Sequence, residues 1–201
     1  GISFQDLEKE FGTPLYIYDA KKIVEQIQSL TGAIAGIRIK YAAKALTNLS
    51  ILKLMRRNGV GVDVVSIQEA QIAMRAGYAP GQILFTRNCV HFSEIVQGVE
   101  AGLNINLDNL TVLEKFGKKY GDSYPCCLRL NPNILAGGNL KISTGHSHSK
   151  FGISVQQAGS IREIVAKYSI RVTGLHIHTG SELFDLDVFR KMADILFGLA
   201  A

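Results

Sequence analysis

At 201 residues, 47% of them hydrophobic, the chain can bury one sizeable core and is too apolar for a disordered segment. No apolar run approaches the roughly 20 residues that span a bilayer, and the polar start lacks a basic-then-apolar leader pattern, so neither membrane insertion nor export is expected. The net charge of +5 is spread over pairs such as Lys21-Lys22, Arg56-Arg57 and Lys118-Lys119, which read as solvated helix faces that attract anionic ligands rather than as a nucleic-acid-binding stripe.

The first strand candidate is 15–18, after the turn Gly12-Thr13-Pro14, and a helix follows it before residue 35. From there short β-branched runs alternate with amphipathic helical patterns. Strands are expected at 36–42, 60–65, 82–85, 103–107, 125–131 and 170–178. Their centres near Ile39, Val62, Leu84, Ile105 and Leu128 are 23, 22, 21 and 23 residues apart, the length of one strand, one helix and two short loops. Helical spacing is clearest in Phe92, Ile95, Val96 and Val99, in Ile161, Ile164, Val165 and Tyr168, and in Phe189, Met192, Ala193 and Leu196. Ser66-Ile67-Gln68-Glu69 and Ser154-Val155-Gln156-Gln157 read as capping boxes, and Gly77 and Gly102 stand where helices end.

One interval breaks the rhythm. Residues 132–152 are rich in Gly, Asn, Ser, His and Lys without apolar period, and a loop that long inside a compact domain is usually functional. Six βα units fit either an open doubly wound sheet or an eight-unit barrel cut short; the end of the chain inside an apolar helical pattern favours the second. Of the three cysteines, Cys89, Cys126 and Cys127, the adjacent pair points to opposite faces of its strand, and reduced thiols are the simplest account.

In either parallel architecture the site lies at the carboxyl ends of the strands. The 36–42 strand runs into Lys44 among Ala42, Ala43 and Ala45: a surface lysine of a βα loop or, if kept from water, a nucleophile able to form a Schiff base. Asp63 interrupts an apolar strand and needs a partner. Arg129, between Leu128 and Leu130, requires either an ion pair or a ligand. His176 and His178 share a strand face, and Gly180-Ser181 after them suits a phosphate. The same histidines suit zinc only with further ligands, for which His146 and His148 are the candidates.

Taken together, Phe11-Gly12-Thr13-Pro14-Leu15-Tyr16-Ile17-Tyr18-Asp19, Tyr41-Ala42-Ala43-Lys44-Ala45, Asp63-Val64-Val65-Ser66, Arg129-Leu130-Asn131-Pro132, His148-Ser149-Lys150-Phe151-Gly152 and Gly174-Leu175-His176-Ile177-His178-Thr179-Gly180-Ser181 cover nearly the whole chain in order. The set resembles the pyridoxal-phosphate-dependent decarboxylases of the alanine-racemase-like fold. That resemblance implies a parallel (β/α)8 TIM-type barrel truncated after about six βα units. Residues 1–34 would lead into it, residues 35–201 would form the partial barrel, and the 15–18 strand would belong to a β domain otherwise lying beyond the chain. It implies pyridoxal 5'-phosphate as cofactor and no metal. Lys44 would condense with the cofactor aldehyde, His178 would stack on its ring, Ser181 would bind its phosphate, and Asp63, Glu69 and Arg129 would line its pocket. The implied reaction is decarboxylation of meso-2,6-diaminopimelate to L-lysine in a cytoplasmic homodimer. Ornithine, arginine or carboxynorspermidine as substrate, or a non-catalytic carrier barrel, are the alternatives. The glycine-rich phosphate loop and the acid serving the pyridine nitrogen would lie beyond residue 201, so these 201 residues are expected to be inactive alone.

Overall fold

The computed structural model describes residues 2–88, 91–134, 145, 149–181 and 183–200. The expected rhythm is present. After the helices α1 (Phe4–Phe11) and α2 (Ala20–Ala33), strands and helices alternate: β1 (Lys40–Ala42), α3 (Leu49–Arg57), β2 (Gly61–Val64), α4 (Ile67–Arg75), β3 (Ile83–Thr86), α5 (Phe92–Glu100), β4 (Asn104–Leu107), α6 (Leu110–Tyr120) and β5 (Cys126–Asn131). Then come β6 (Ile153–Ser154), α7 (Ala158–Tyr168), β7 (Val172–Ile177) and α8 (Leu186–Ala200). All strand pairings are parallel, in the order β1-β2-β3-β4-β5 with β6 and β7 both on β5. The sheet is a curled half-barrel, open at β1.

Register sorts the side chains into two faces. Val62 and Val64, Ile83 and Phe85, Ile105 and Leu107, and Cys126, Leu128 and Leu130 pack with the helices in one apolar core, all of them nearly free of solvent. Burying an aromatic such as Phe85 or Phe116 there contributes about 1.5–3 kcal/mol each. The alternate residues face the concave side: Ala42 beside Asp63, Asp63 beside Leu84, Leu84 beside Asn104, Thr86 beside Asn106, Asn106 beside Cys127, and Arg129 beside His176. A bulge at Cys126/Cys127 skips Thr173 and brings Gly174 opposite Cys127, which sets His176 and His178 on the concave face. Cys126 is accordingly buried in the core, while Cys127 is half-buried on the other face; Cys89 lies outside the described residues.

Local caps explain where helices begin. Ser66 Oγ accepts from Glu69 N–H at 3.0 Å at the start of α4, as its box predicts. Ser154 instead accepts from Gln156 N–H and caps a 3-10 turn (Val155–Gln157), so α7 begins at Ala158 rather than at Ser154. Two expectations differ. Residues 15–18 carry strand-forming side chains but form no strand: no ladder partner lies beside them, and Tyr16 is 88% exposed. The second difference is β6, a two-residue strand defined only by its pairing with Leu130 and Asn131. Leu130 therefore has Ile153 on one side and Ile177 on the other, so the end of the 132–152 segment is stitched to the carboxyl end of β5.

Candidate active site

A cavity of about 430 Å³ opens at the carboxyl ends of the strands, within the size range of small-molecule sites. Its walls are Ala42 and Lys44 after β1, Asp63 and Val65 on β2, Thr86 and Asn88 on β3, Arg129 on β5, Lys150 and Phe151 before β6, and His176 and His178 on β7. Lys44, Arg129 and Lys150 face one lining carboxylate, Asp63, so the site favours an anion.

Each lining residue is placed by its element. Lys44 sits in a 3-10 turn (Ala43–Ala45) that closes when Leu46 N–H donates to Ala43 O at 3.0 Å. Ala43 is fully buried, and Lys44 is swung to the cavity mouth. It is exposed, not withdrawn from water as a desolvated nucleophile requires, because β1 is the edge strand and no strand pairs with it on its other side among the described residues. Arg129 is buried, with its guanidinium 4.6 Å from the Phe151 ring centre; Lys150 caps the same ring at 5.1 Å. Burial lowers the pKa of Arg129, opposed by the charges of Asp108 and Asp63. The carboxyls of Asp63 and Asp108 are both pushed up by burial. The Thr86 hydroxyl and the charges of Lys44, Arg129 and Lys40 hold Asp63 back. Asn88, Asn109 and then Arg129 do so for Asp108.

The histidines are uncharged at neutral pH. Burial, then Arg129 and His178, bring His176 down to about 4; burial, then Arg129 and Lys44, lower His178. Asn106 Nδ2 lies 3.2 Å from both Thr86 Oγ1 and His176 Nδ1. At the rim, Asn88 Nδ2 donates to Asp108 Oδ2 and to Lys150 O, tying the returning segment to β3.

Of the residues singled out in the sequence, Lys44, Asp63, Arg129 and His178 thus share one cavity. Glu69 and Ser181 are not among its lining residues. The Glu69 carboxylate accepts from Val65 N–H at 2.8 Å, completing the start of α4. Ser181 is exposed beyond Gly180. Sequence reasoning missed Thr86 and Asn88 in the cavity wall and Asn106 next to them, whose polar alternation does not tell a concave face from a solvent face; Lys150 and Phe151 belong to the 148–152 motif that it did single out. No cluster of metal-ligating side chains exists among the described residues, and His146 and His148 lie outside them.

Parallel βα architecture, a cationic pocket at the strand ends and a lysine at its mouth define an anion-favouring ligand site on a barrel-type scaffold. The family profile described as "Pyridoxal-dependent decarboxylase, pyridoxal binding domain" matches residues 20–200, and the chain belongs to that family. Diaminopimelate decarboxylase of Methanothermobacter thermautotrophicus is 31% identical over 100% of this chain and 48% of its own length. That of Streptomyces coelicolor is 38% identical over 86% of this chain and 39% of its own. The crystal structure of diaminopimelate decarboxylase from Helicobacter pylori complexed with L-lysine superposes with a TM-score of 0.85 at 32% identity, covering 98% of this chain and 53% of that one. The chain therefore spans about half the length of the relatives it matches.

The family's cofactor is pyridoxal phosphate, and the residues present fit it. Asp63 Oδ1 is sealed from solvent without a hydrogen-bond partner, and its residue lines a cavity of adequate size with excess positive charge and a primary amine at the entrance.

Proposed function

We propose that this chain is the cofactor-holding part of a diaminopimelate decarboxylase, converting meso-2,6-diaminopimelate to L-lysine and carbon dioxide. The observation that carries the reading is the convergence of the Lys44 amine with Asp63, Arg129 and His178 on one cavity. The names of the relatives matched over nearly the whole chain support the substrate.

Pyridoxal phosphate, when bound, supplies an electron sink for the pair left behind by departing carbon dioxide. The chain's residues do the rest. Lys44 offers its amine to the aldehyde at the entrance. Neutral His178 presents a flat ring without the cost of burying a charge. Arg129, held against Phe151, keeps the pocket electropositive where anionic groups enter. Asp63 Oδ1 is ready to accept from a donor brought in with the ligand. Ser181, after the turn at Gly180, is assigned to the phosphate, and Glu69 supports the pocket wall through Val65. The reading carries with it a cytoplasmic homodimer in which residues 1–34 lead into the barrel. No helix among the described residues is long and apolar enough to cross a membrane.

Incubation with pyridoxal phosphate followed by borohydride is expected to attach the cofactor to Lys44, located by peptide mass spectrometry, and Lys44→Ala to abolish the attachment. Turnover is measured on the full-length protein against diaminopimelate, ornithine, arginine and carboxynorspermidine. Labelling at another lysine refutes the site, and preferred turnover of a different amino acid refutes the substrate.

A further inference from the structure

Along the cavity wall a row of polar side chains runs from Asp63 through Thr86 and Asn106 to His176. An ionised Asp63 can only accept, so the Thr86 hydroxyl donates to it. Thr86 Oγ1 must then receive its remaining hydrogen bond from a donor, and the group 3.2 Å away is Asn106 Nδ2. That fixes which end of the Asn106 amide is nitrogen, and the same nitrogen lies 3.2 Å from His176 Nδ1. An amide NH2 has no lone pair to offer, so Nδ1 accepts.

A second observation fixes the amide from its other side. Asn106 Oδ1 and Arg87 Nε are both buried without a hydrogen-bond partner, and both residues line one small space of about 10 Å³ between β4 and the ends of β3 and α6. Arg87 is held there by a two-pronged ion pair to Glu94, at 2.9 and 3.2 Å, and by donation to Val65 O at 3.0 Å. A guanidinium only donates, so the amide atom facing that space is oxygen, as the Thr86 side requires independently. The space has the size of one water, which would bridge Nε–H to Oδ1.

We propose that Asn106 is a positioning residue. Its amide, oriented by Thr86 on one side and Arg87 on the other, holds His176 as the neutral ring with its proton on Nε2. His176 thereby offers the site an N–H donor on the ring edge away from Asn106, beside Arg129. The lowered pKa of His176 accords with this, since a charged ring would point a proton at the Asn106 nitrogen. The use of that donor rests on the cofactor reading above; the tautomer itself does not.

Long-range 1H–15N NMR of the full chain, with and without pyridoxal phosphate, tests the tautomer directly, His176 being assigned by the signal lost in His176→Gln. The expected pattern at neutral pH is an unprotonated Nδ1 and a protonated Nε2, already present without cofactor. Asn106→Asp is nearly isosteric and turns the donor into an acceptor, so it should reverse the pattern to Nδ1–H. Thr86→Val removes the lock on one side and should leave a mixture of both tautomers, which also serves if the Asn106 variant does not fold. A protonated Nδ1 in the unsubstituted protein overturns the proposal, as does a pattern unchanged in both variants. Failure to take up pyridoxal phosphate with the tautomer as expected would sink the cofactor reading alone.

Discussion

Gly152 is the residue on which the returning segment turns into β6, and its replacement by alanine tests how rigidly that segment is fastened. Its φ is +80°, where an L side chain costs about 1–2 kcal/mol. A Cβ at this position would also stand 2.7 Å from Leu130 C, 2.8 Å from Asn131 N and 3.0 Å from Leu130 O. These are backbone atoms of a strand paired on both sides, so they cannot yield, and the contact adds about 1–3 kcal/mol of strain. Gly152→Ala should therefore lose about 2–5 kcal/mol, or roughly 4–20 °C in Tm for a chain of this size. Gly36→Ala is the control. Its φ is +79° but nothing lies within 4 Å of the added carbon, so it should lose only the first part, about 1–2 kcal/mol. Thermal unfolding followed by circular dichroism measures both. If the two variants melt within about 1 °C of each other, the close approach of Gly152 to β5 is not a constraint and the reasoning fails.

Three further outcomes follow from the site and its supports. Arg129→Met removes a cation that holds Asp63 and Asp108 down, at a cost of about 1–2 kcal/mol for an effective dielectric near 20. Both carboxyls then sit still further above 3.8 in the folded state, which binds protons more tightly than the unfolded one. Stability is thus lost as pH rises through those values, and the Tm deficit should be larger near pH 7.5 than near pH 5. For His176, folded pKa about 4 against an ordinary 6.5, the sign is opposite: NMR should find its midpoint near 4, and stability should fall as pH drops from 6.5 toward that value. Ser66→Ala removes the acceptor for Glu69 N–H and should cost about 1 kcal/mol, read as a drop of roughly 2–4 °C in Tm.

Much of this was legible before any coordinates, for reasons that lie in particular residues. Parallel strands buried against helices need unbroken apolar faces, so Val62, Val64, Ile105 and Leu128 announced their strands by spacing. Asp63 and Arg129 stood out because each breaks such a run, and both proved to face the cavity. Thr86 and Asn106 were not legible, because a polar residue alternating with apolar ones reads as an ordinary solvent face; only the strand order shows that this face is concave. β6 escaped because two residues carry no period and its identity lies wholly in its partner. The 15–18 segment failed in the opposite way: its composition favours a strand, but a strand needs a neighbour. For Lys44 the sequence left open a surface loop lysine or one kept from water; its exposure follows from the position of β1 at the sheet edge, which is a property of topology.

The two faces of the sheet have a consequence for how this sequence can change. Along β2, β3, β4 and β5 the residues that hold the molecule together and the residues that meet a ligand alternate one by one. Deleting a single residue within such a strand would bring Asp63, Asn106 or Arg129 into the oily layer and carry Val62, Ile105 or Leu128 into the pocket, abolishing folding and chemistry in one event. A shift by two would leave both sets on their proper sides. Inheritance through these strands therefore tolerates substitution far more readily than any odd change in length.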